Sequence, residues 1–591
     1  MFKKSNKETQ LDAFSSIPTM LDRSALKQYS DQGHWHNQFR EQVVMRIDES
    51  LFSVLYNNTT GAPNAPARIL VGMMILKESF GWSDSQLFEH CRFNLLVRSS
   101  LGLFNINDPL PVESTYYLLR KRIYDHQKQN GEDLMGKIFA HITSGQIKEF
   151  NVNGHSIRMD SKLIGSNIAI FTRYEIIHQT LCMFYKSLDK VAKSKLFVVD
   201  RKQLELLMKE ESGKTVYHST KDELRGKLQT IGILIYNLLE PLEYLQTELY
   251  QLLQRVFNEQ YKVIEDEQIE LRPKEEISSS SLQSPHDPDS AYRNKGDQNV
   301  KGYSVNITET CSNDSLNLIT NVIVEKANTP DTAFVEPAIE ATIEITGQIV
   351  KTVYADGAFQ SPNNDNCCKN IDMVFTGMQG AESKYDLEMT QEGLLVTDTR
   401  TGEQMKAVLV KKHKKSNEDR WRIKTPIGYY YFNQQAIRAS HLRREIKGRT
   451  LKELHKRNNV EATIFQLGFP LRNKKSKYRG LIKQKTWAYC RCLWINLIRI
   501  LNFTKQICQR TYKTMKKPAF IPLLSVYFKL QNKVNPIWSR TFSIALILSI
   551  VTNFYFFYNT PFRRGLNIYY LFPKNDRILM NHHYLVKIFY L

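Results

Sequence analysis

Three acidic residues in distant parts of the chain have the types and settings of a metal-dependent catalytic centre. Asp160 and Asp356 follow short apolar segments of β-strand character, and Glu461 lies in a segment of helical character. Carboxylates that converge from separate segments repel one another without cations, whereas with a pair of divalent ions they form a phosphoryl-transfer centre. Each acid alone is more typical of a turn, a cap or a solvated helix face. The prediction therefore depends on the elements around them.

The elements that carry the first two acids predict strands. Residues 149–160 predict a strand, a turn and a second strand that ends at Asp160. Residues 349–355 predict a buried strand that delivers Asp356 at its C-terminal end, where α/β folds place functional groups. The two acids are thus expected at strand ends.

The third acid is predicted on a helix together with an arginine. Arg457 and Glu461 are four residues apart, which places them on the same helical face. Arg457 could orient the Glu461 carboxylate, hold a phosphate, or form a plain intrahelical ion pair. Further along, Trp487 and Trp494 are seven residues apart on one helical face, where core packing is favoured over stacking on an unpaired base.

Before the first acid, residues 39–145 predict a compact set of helices. Ser83 is the expected N-cap of one helix. Another helix is predicted to open at 113–115 and to end in the basic run Arg120, Lys121 and Arg122. Short helices with basic ends suit DNA binding, as in a helix-turn-helix, and equally suit an ordinary helical bundle.

Between the first two acids lies a helical insertion. Apolar residues at 224–256 step by four and three, which is a heptad seam, and Pro241 predicts a break inside it. The seam could dimerise two chains or form an intrachain helical hairpin. The serine-rich segment 278–288 predicts a polar linker that ends the insertion.

After this insertion the sequence returns to a strand pattern. Residues 301–310 and 316–324 predict a hairpin, and 330–345 predict a helix that Pro337 could interrupt. Alternation of apolar and polar residues within 372–440 predicts a small β-rich insertion between the second and third acids.

The charge of the chain favours a polyanionic partner. Its 591 residues carry a formal net charge of +21, and residues 401–517 hold thirty Lys or Arg against six Asp or Glu. A solvated basic face is the usual reading of a charge run, but so dense an excess beside candidate metal ligands favours DNA phosphate. The other readings are an anionic membrane surface or a basic protein without such a partner.

Cysteines and the two termini bear on location. The eight cysteines are scattered without a CxxC pair, which predicts no zinc site and fits a reducing cytosol. The N-terminus lacks the apolar core of a signal peptide. The uncharged segment 542–558 is at the lower limit of a membrane span, and a buried helix or an extension is preferred to an anchor.

Taken in order, these motifs resemble the DDE transposases of bacterial insertion sequences with an InsH-type helical N-terminal domain. The resemblance extends from about residue 40 to 500. It rests on Arg68, Lys77, Ser83, Asp84, 101–103, 111–115, 120–122, 158–167, 286–289, 301–303, 327–331, 355–359, Arg457, Glu461, 478–481 and 494–497. The order and spacing of these motifs are more specific than any one of them.

The resemblance implies an α/β (α+β) chain with an RNase H-like mixed sheet, helical and β-rich insertions and an all-helical N-terminal domain. It implies Asp160, Asp356 and Glu461 as catalytic and metal-binding residues, with two Mg²⁺ ions for which Mn²⁺ can substitute. Asp160 would bridge both ions. The implied partners are the double-stranded DNA ends of the element and target DNA, bound by a homodimer in the bacterial cytoplasm at the nucleoid, without a membrane.

The chain departs from the family's pattern around the third acid. Many relatives carry a Tyr three residues before the Arg and a Lys seven after the Glu, and these positions are Leu454 and Gly468 here. Neighbouring cations are candidates for the phosphate contact. The predicted DNA-binding residues are Arg457, Arg472, Lys474, Lys475, Lys477, Arg479, Arg120, Lys121 and Arg122.

The predicted organisation has six parts. They are an N-terminal arm (1–38), a helical DNA-binding domain (39–145), an RNase H-like core (146–170, 286–371 and 441–503), a helical insertion (171–285), a β-rich insertion (372–440) and a basic, then hydrophobic tail (504–591). The predicted function is a transposase that binds the terminal inverted repeats and cleaves and joins DNA. The alternatives are a stand-alone Mg²⁺-dependent nuclease of the same fold and a non-catalytic DNA-binding protein derived from a transposable element.

Overall fold

The computed structural model describes most of the chain up to the end of a long C-terminal helix. The described residues are 1–6, 10–57, 59–264, 268–296, 298–313, 315–378, 382–410 and 419–515. The apolar segment 542–558 lies outside this range. None of the described helices is long and apolar enough to cross a membrane.

The N-terminal region is helical, as the sequence predicts. Ser83 caps its helix as expected: its hydroxyl accepts from Gln86 N at 3.1 Å, and the Gln86 side chain accepts in return from Ser83 N. The helices are α1 (Ile17–Met20), α2 (Arg23–Tyr29), α3 (Trp35–Gln42), α4 (Ala67–Phe80), α5 (Asp84–Phe93), α6 (Leu95–Ser100), α7 (Glu113–Asn130) and α8 (Leu134–Phe150).

The basic run does not end its helix, so that prediction is wrong. Helix α7 continues past Arg122 to Asn130 and stops only at Gly131, whose φ of 73° is the left-handed conformation that glycine adopts readily at a helix end. A cluster of positive charges carries no stop signal of its own, so Arg120–Arg122 lie in the middle of α7.

The first strand also differs from its prediction. Residues 149–150 belong to α8, and the strand β1 runs over Ser156–Gly165. Asp160 therefore lies in the middle of β1 and not at its end. The polar pair Ser161 and Lys162 interrupts the apolar pattern that would mark a continuing strand, although both residues are paired in the sheet.

A six-stranded mixed sheet forms the centre of the molecule. Its other strands are β4 (Ala291–Lys295), β5 (Gln298–Thr310), β6 (Ile319–Lys326), β7 (Thr352–Ala355) and β8 (Asp372–Phe375), after a small separate pair, β2 (Tyr261–Val263) and β3 (Ile269–Leu271). The order is β4-β5-β1-β7-β8, with β6 also paired to β5. Strand β5 is antiparallel to β1, β4 and β6, whereas β7 is parallel to both β1 and β8. The predicted hairpin is confirmed as β5 and β6.

The two faces of this sheet belong to different hydrophobic cores. One face carries Val305 and Ile307 of β5 and packs in a core shared with the N-terminal helices and the last helix. The opposite face carries Ile157 and Met159 of β1 and packs against the helix α15 (Val335–Thr346). Pro337 sits in the first turn of α15, where its missing N–H is tolerated, so the helix is not interrupted.

The insertion after β1 is a helical bundle with a core of its own. It comprises α9 (Arg173–Ser187), α10 (Lys190–Ser194), α11 (Val198–Leu207), α12 (Ser212–His218), α13 (Lys221–Leu239) and α14 (Glu248–Gln260). The heptad seam breaks near Pro241 as predicted. Its apolar residues pack against α9 within the same chain, so the intrachain alternative is confirmed.

The serine-rich segment 278–288 is not a solvated linker, contrary to the prediction. Residues 281–285 are all buried, and Leu282 belongs to the core of the bundle. Leu282 N donates to Glu259, and the Arg255 guanidinium donates to the carbonyls of Ser280 and Pro288. A serine-rich composition predicts solvation only when no neighbour supplies these hydrogen bonds.

The β-rich insertion begins later than predicted, because residues 372–375 form β8 of the central sheet. The insertion holds two three-stranded antiparallel sheets and the helix α17 (Gln434–Gly448). The strands are β9 (Tyr385–Thr390), β10 (Gly393–Asp398), β11 (Gln404–Lys406), β12 (Val408–Val410), β13 (Arg420–Thr425) and β14 (Gly428–Asn433).

The remaining elements bring the chain back to the sheet. They are α16 (Pro362–Cys367), α18 (Leu451–Leu454), α19 (Asn458–Gly468) and α20 (Leu481–Met515), with 3₁₀ turns at Val44–Arg46, Glu49–Leu55, Glu243–Leu245, Lys274–Glu276, Asp331–Phe334, Gly357–Phe359 and His455–Arg457. Helix α20 packs against both β6 and α4. Trp487 is buried in that core and Trp494 packs against it, which confirms the core role of both tryptophans.

Candidate active site

The strand register places the first two acids side by side. Strands β1 and β7 are parallel, and Arg158 is level with Tyr354. Asp160 lies two residues after Arg158, and Asp356 lies two residues after Tyr354. Because side chains alternate along an extended backbone, both acids are on the same face of the sheet as Arg158 and Tyr354. Asp356 follows the end of β7, as the sequence predicts, and caps the 3₁₀ turn Gly357–Phe359.

One guanidinium group joins all three acids. Arg457 Nη2 lies 2.9 Å from Asp160 Oδ2 and 3.7 Å from Asp356 Oδ2. Arg457 Nη1 lies 2.8 Å from Glu461 Oε1, as their spacing of four residues predicts. The structure therefore brings together Asp160, Asp356 and Glu461 from β1, from the end of β7 and from α19.

The three carboxylates differ in their access to solvent. The exposed fraction of the side chain is 13% for Asp160, 31% for Asp356 and 58% for Glu461. Burial raises the pKa of Asp160; the Arg457 guanidinium opposes that rise and the neighbouring Asp356 adds to it. Solvent exposure of the carboxylates therefore increases from Asp160 on the strand to Glu461 on the helix.

The donor set suits a hard divalent cation, but a guanidinium group now lies among the acids. Carboxylate oxygens are the ligands that Mg²⁺ prefers. Within the described residues, no three acidic, histidine or cysteine side chains are close enough to hold an ion as they stand. Arg457 supplies positive charge between Asp160 and Asp356, at the place where a bound cation would interact with both carboxylates.

A buried charge network behind the acids was not predicted from the sequence. Glu309 of β5 is fully buried, with Arg158 Nε at 2.5 Å from its Oε1 and Arg499 Nη2 at 2.6 Å from its Oε2. The Thr463 hydroxyl donates to the same Oε2 at 2.7 Å. Since Arg158 lies two residues before Asp160 and Thr463 two residues after Glu461, this network fixes α19 against β1.

The cations and the hydroxyl of this network stabilise the ionised form of Glu309. Burial alone would raise the pKa of Glu309, but the guanidinium groups of Arg499 and Arg158 and the Thr463 hydroxyl together lower it. The signal that could have revealed it is the alternation of β5, in which Glu309 continues the inward-facing series of Val305 and Ile307. An acid on a buried strand face requires a cationic partner.

A second unpredicted acid supports β1 from the opposite face. Asp331 is buried and accepts a hydrogen bond from Ser161 Oγ at 2.8 Å. Its other carboxylate oxygen pairs with Arg293 Nη2 at 3.2 Å. Asp331 thereby holds the strand at the residue that follows Asp160.

Five of the predicted DNA-binding residues lie on a loop of residues 472–479, called the basic loop below, which lies against the end of β1. Gly165 N donates to Lys474 O at 3.0 Å, and Ser476 N donates to Gly165 O at 2.8 Å. Asn473 and Lys474 both adopt positive φ, 51° and 57°, a conformation that non-glycine residues rarely occupy. The cationic residues of this loop are all exposed: Arg472, Lys474, Lys475, Lys477 and Arg479.

The other predicted DNA-binding residues, on α7, are engaged mainly within the N-terminal region. Arg120 lies 3.5 Å from Asp84, and the Arg122 guanidinium lies over the ring of Tyr56. Only Lys121 of the three is exposed. Arg120 and Lys121 line a cavity of about 310 Å³ between α7, α4 and α20. Within the described chain, none of the three contacts the acids.

Comparison with known proteins identifies one region of the chain. No curated protein and no solved structure gave a match. A family model described as Transposase domain (DUF772) matches residues 24–122, which run from α2 into α7. This match confirms the resemblance of the N-terminal region to InsH-type transposases. The chain therefore carries a transposase domain of the DUF772 family at residues 24–122.

Proposed function

We propose that this protein is a transposase that cleaves and joins DNA at a centre formed by Asp160, Asp356 and Glu461. The observation that carries the proposal is the convergence of these three acids, from separate elements, on the guanidinium of Arg457. The transposase domain at residues 24–122 supports it independently. The mixed central sheet with flanking helices and two insertions agrees with an RNase H-like core.

In this proposal the three carboxylates would hold two Mg²⁺ ions. When bound, such ions lower the pKa of an attacking water or 3′-hydroxyl and stabilise the leaving oxygen of an in-line displacement. Asp160 on β1 and Asp356 just after the parallel strand β7 would supply oxygens from the sheet, and Glu461 would supply one from α19. Arg457 offsets the repulsion among these acids by pairing with all three and, once displaced, is placed to contact a DNA phosphate.

The basic loop supplies the surface for the DNA backbone. Its five cations are exposed and border the strand that carries Asp160. Lys475, Lys477 and Arg479 have their charged groups held by the carbonyls of Ile168, Gly81 and Asn167. Such contacts fix the positions of the charges and leave other N–H donors for phosphate. Two chains acting on two DNA ends remain the expected assembly, although the heptad seam is used within the chain.

Cleavage of DNA that carries the element's own ends tests the proposal. Asp160→Asn, Asp356→Asn and Glu461→Gln should each abolish cleavage in Mg²⁺ and leave DNA binding in Ca²⁺ nearly intact, because the acids hold the ions and not the DNA. The matched control is Glu392→Gln, which neutralises an exposed acid of the β-rich insertion and should cleave normally.

The products separate the proposal from its alternatives. Joining of cut ends to a target duplex supports a transposase, whereas cutting without joining indicates a nuclease of the same fold. Binding without Mg²⁺-dependent nicking indicates a non-catalytic DNA-binding protein. Cleavage by purified Asp356→Asn protein at the normal rate would remove that residue from the centre.

A further inference from the structure

Lys162 is a cation next to the acids that no charged group of the described chain neutralises. It follows Asp160 by two residues on β1, so both side chains leave the same face of the sheet. Within the described residues, its ammonium has one hydrogen-bond acceptor, Ile464 O at 3.4 Å, and no carboxylate within 4.0 Å. Two of its three N–H donors are thus left for another group.

The neighbouring helix α19 has a glycine, Gly468, where the Lys162 ammonium lies against it. A side chain at Gly468, the last residue of α19, would begin with a Cβ that overlaps Lys162 Nζ and lies 3.1 Å from its Cε. Glycine at this position is therefore what lets the lysine reach across α19.

A second cation lies near the first. Lys474 belongs to the basic loop, and its carbonyl accepts at 3.0 Å from Gly165 N, three residues after Lys162 on β1; its ammonium acts electrostatically on that of Lys162. Its ammonium donates to the neutral Gln298 side chain at 3.2 Å and to no carboxylate among the described residues. Two neighbouring ammonium groups that lack an acidic partner repel each other, and an anion between them would relieve that repulsion.

We propose that Lys162, admitted by Gly468 and assisted by Lys474, binds a phosphate of the DNA strand that lies at the acidic centre. This proposal rests on the proposed function, since it takes the anion to be DNA. Lys162 is half-buried on the strand of Asp160, and its ammonium lies beside Ile464 of α19, the helix that carries Glu461. The contact fixes the DNA relative to the acids without entering the metal site.

DNA binding measured without catalysis tests this contact. The probe is a labelled duplex from the DNA flanking the gene, titrated in Ca²⁺ at several salt concentrations. Lys162→Met should weaken binding roughly three- to tenfold and reduce the salt slope by about 0.9, the value for one phosphate contact. Lys162→Arg should retain most of the affinity and the slope. Lys202→Met, which removes an exposed lysine of the helical insertion, is the control and should change neither by a comparable amount.

A second variant moves the charge without removing it. Gly468→Ala should displace the flexible end of Lys162 and weaken DNA binding, although the net charge of the protein is unchanged. Gly448→Ala is its control, because a Cβ at that position meets no atom within 4 Å. An unchanged salt slope in Lys162→Met, or normal binding by Gly468→Ala, would overturn the proposal, and Lys162 would then serve only to brace α19.

The outcomes also separate this inference from the proposed function. Loss of binding in Lys162→Met by a protein that never cleaves DNA would support the phosphate contact and refute the catalytic proposal. Normal binding and cleavage by Lys162→Met would refute the contact alone. A wild-type protein that does not bind the duplex at any salt concentration would refute both.

Discussion

Replacement of Glu309 by glutamine should destabilise the central sheet severely. The change keeps the shape of the side chain but removes the negative charge that pairs with both Arg158 and Arg499, whose side chains are 7% and 19% exposed. Breaking a buried ion pair by removal of one partner costs about 3–5 kcal/mol, since the remaining charge stays desolvated. Here two guanidinium groups lose their partner, so we expect the upper part of this range.

Thermal unfolding followed by intrinsic fluorescence measures this effect. A loss of about 3–5 kcal/mol corresponds to a fall of roughly 10 °C in the Tm of the transition that includes the sheet. Glu211→Gln is the matched control, because Glu211 pairs with Lys214 at 2.9 Å on the surface, where both side chains are about 70% exposed. An exposed pair of this kind contributes less than about 1 kcal/mol.

The pH dependence gives an independent check of the same reasoning. The two guanidinium groups lower the pKa of Glu309 below its ordinary value of 4.5, so its stabilisation is present in full above that pH and is lost as the pH falls below it. The Tm difference between wild type and Glu309→Gln should therefore be constant near neutral pH and shrink below pH 4.5. A Tm fall of less than about 2 °C at neutral pH would refute the argument that Glu309 is an ionised partner of both arginines.

Two further changes test other parts of the structure. Joint neutralisation of Lys474, Lys475 and Lys477 should weaken DNA binding and lower its salt slope by roughly 2 to 3, measured by titration at several salt concentrations, and an unchanged slope would exclude phosphate contacts by this loop. Gly302→Ala should destabilise the protein by about 3 kcal/mol or more, because the new Cβ would overlap the backbone of β1 at Ile164 and Gly165. The control is Gly226→Ala, where a Cβ meets nothing within 4 Å and should stabilise α13 slightly. Equal changes in Tm for the two variants would contradict the close contact between Gly302 and β1.

The places of Asp356 and Glu461 in the fold could be predicted from the sequence, because a strand pattern precedes the first and a helical spacing links the second to Arg457. Asp356 follows a short apolar strand and is found at its end. Glu461 and Arg457 have the spacing of one helical face, and their side chains meet. In each case the informative residues lie within a few positions of the acid, where periodicity and capping act.

The supporting contacts could not be identified, because they join residues that are distant along the chain. The alternation of β5 could show that Glu309 is buried, but it does not show that the partners are Arg158 and Arg499, which lie far from it in sequence. Asp160 was expected at a strand end because Ser161 and Lys162 are polar. The strand nevertheless continues through these two polar residues. Ser161 forms a hydrogen bond with Asp331, and Lys162 forms one with a carbonyl of α19.

Similar reasons explain the errors outside the site. The segment 278–288 has the composition of a linker, but its backbone is paired and its residues 281–285 are buried. Composition reports the average behaviour of residue types, whereas burial depends on which neighbours are folded against them. Residues 372–375 could not be assigned to the central sheet, since parallel pairing with β7 has no local sequence signature.

The packing of α20 has a consequence for the order in which the protein can fold during synthesis. This helix packs against α3, α4 and α8 and contributes buried residues to their shared core, so that core is incomplete without α20. More than three hundred residues separate the end of α8 from the start of α20. At roughly 5–20 residues per second, the ribosome needs on the order of 20 to 60 s to supply them. During that interval the N-terminal helices lack the helix that covers part of their apolar surface, and a chain that ends before residue 481 cannot complete their core.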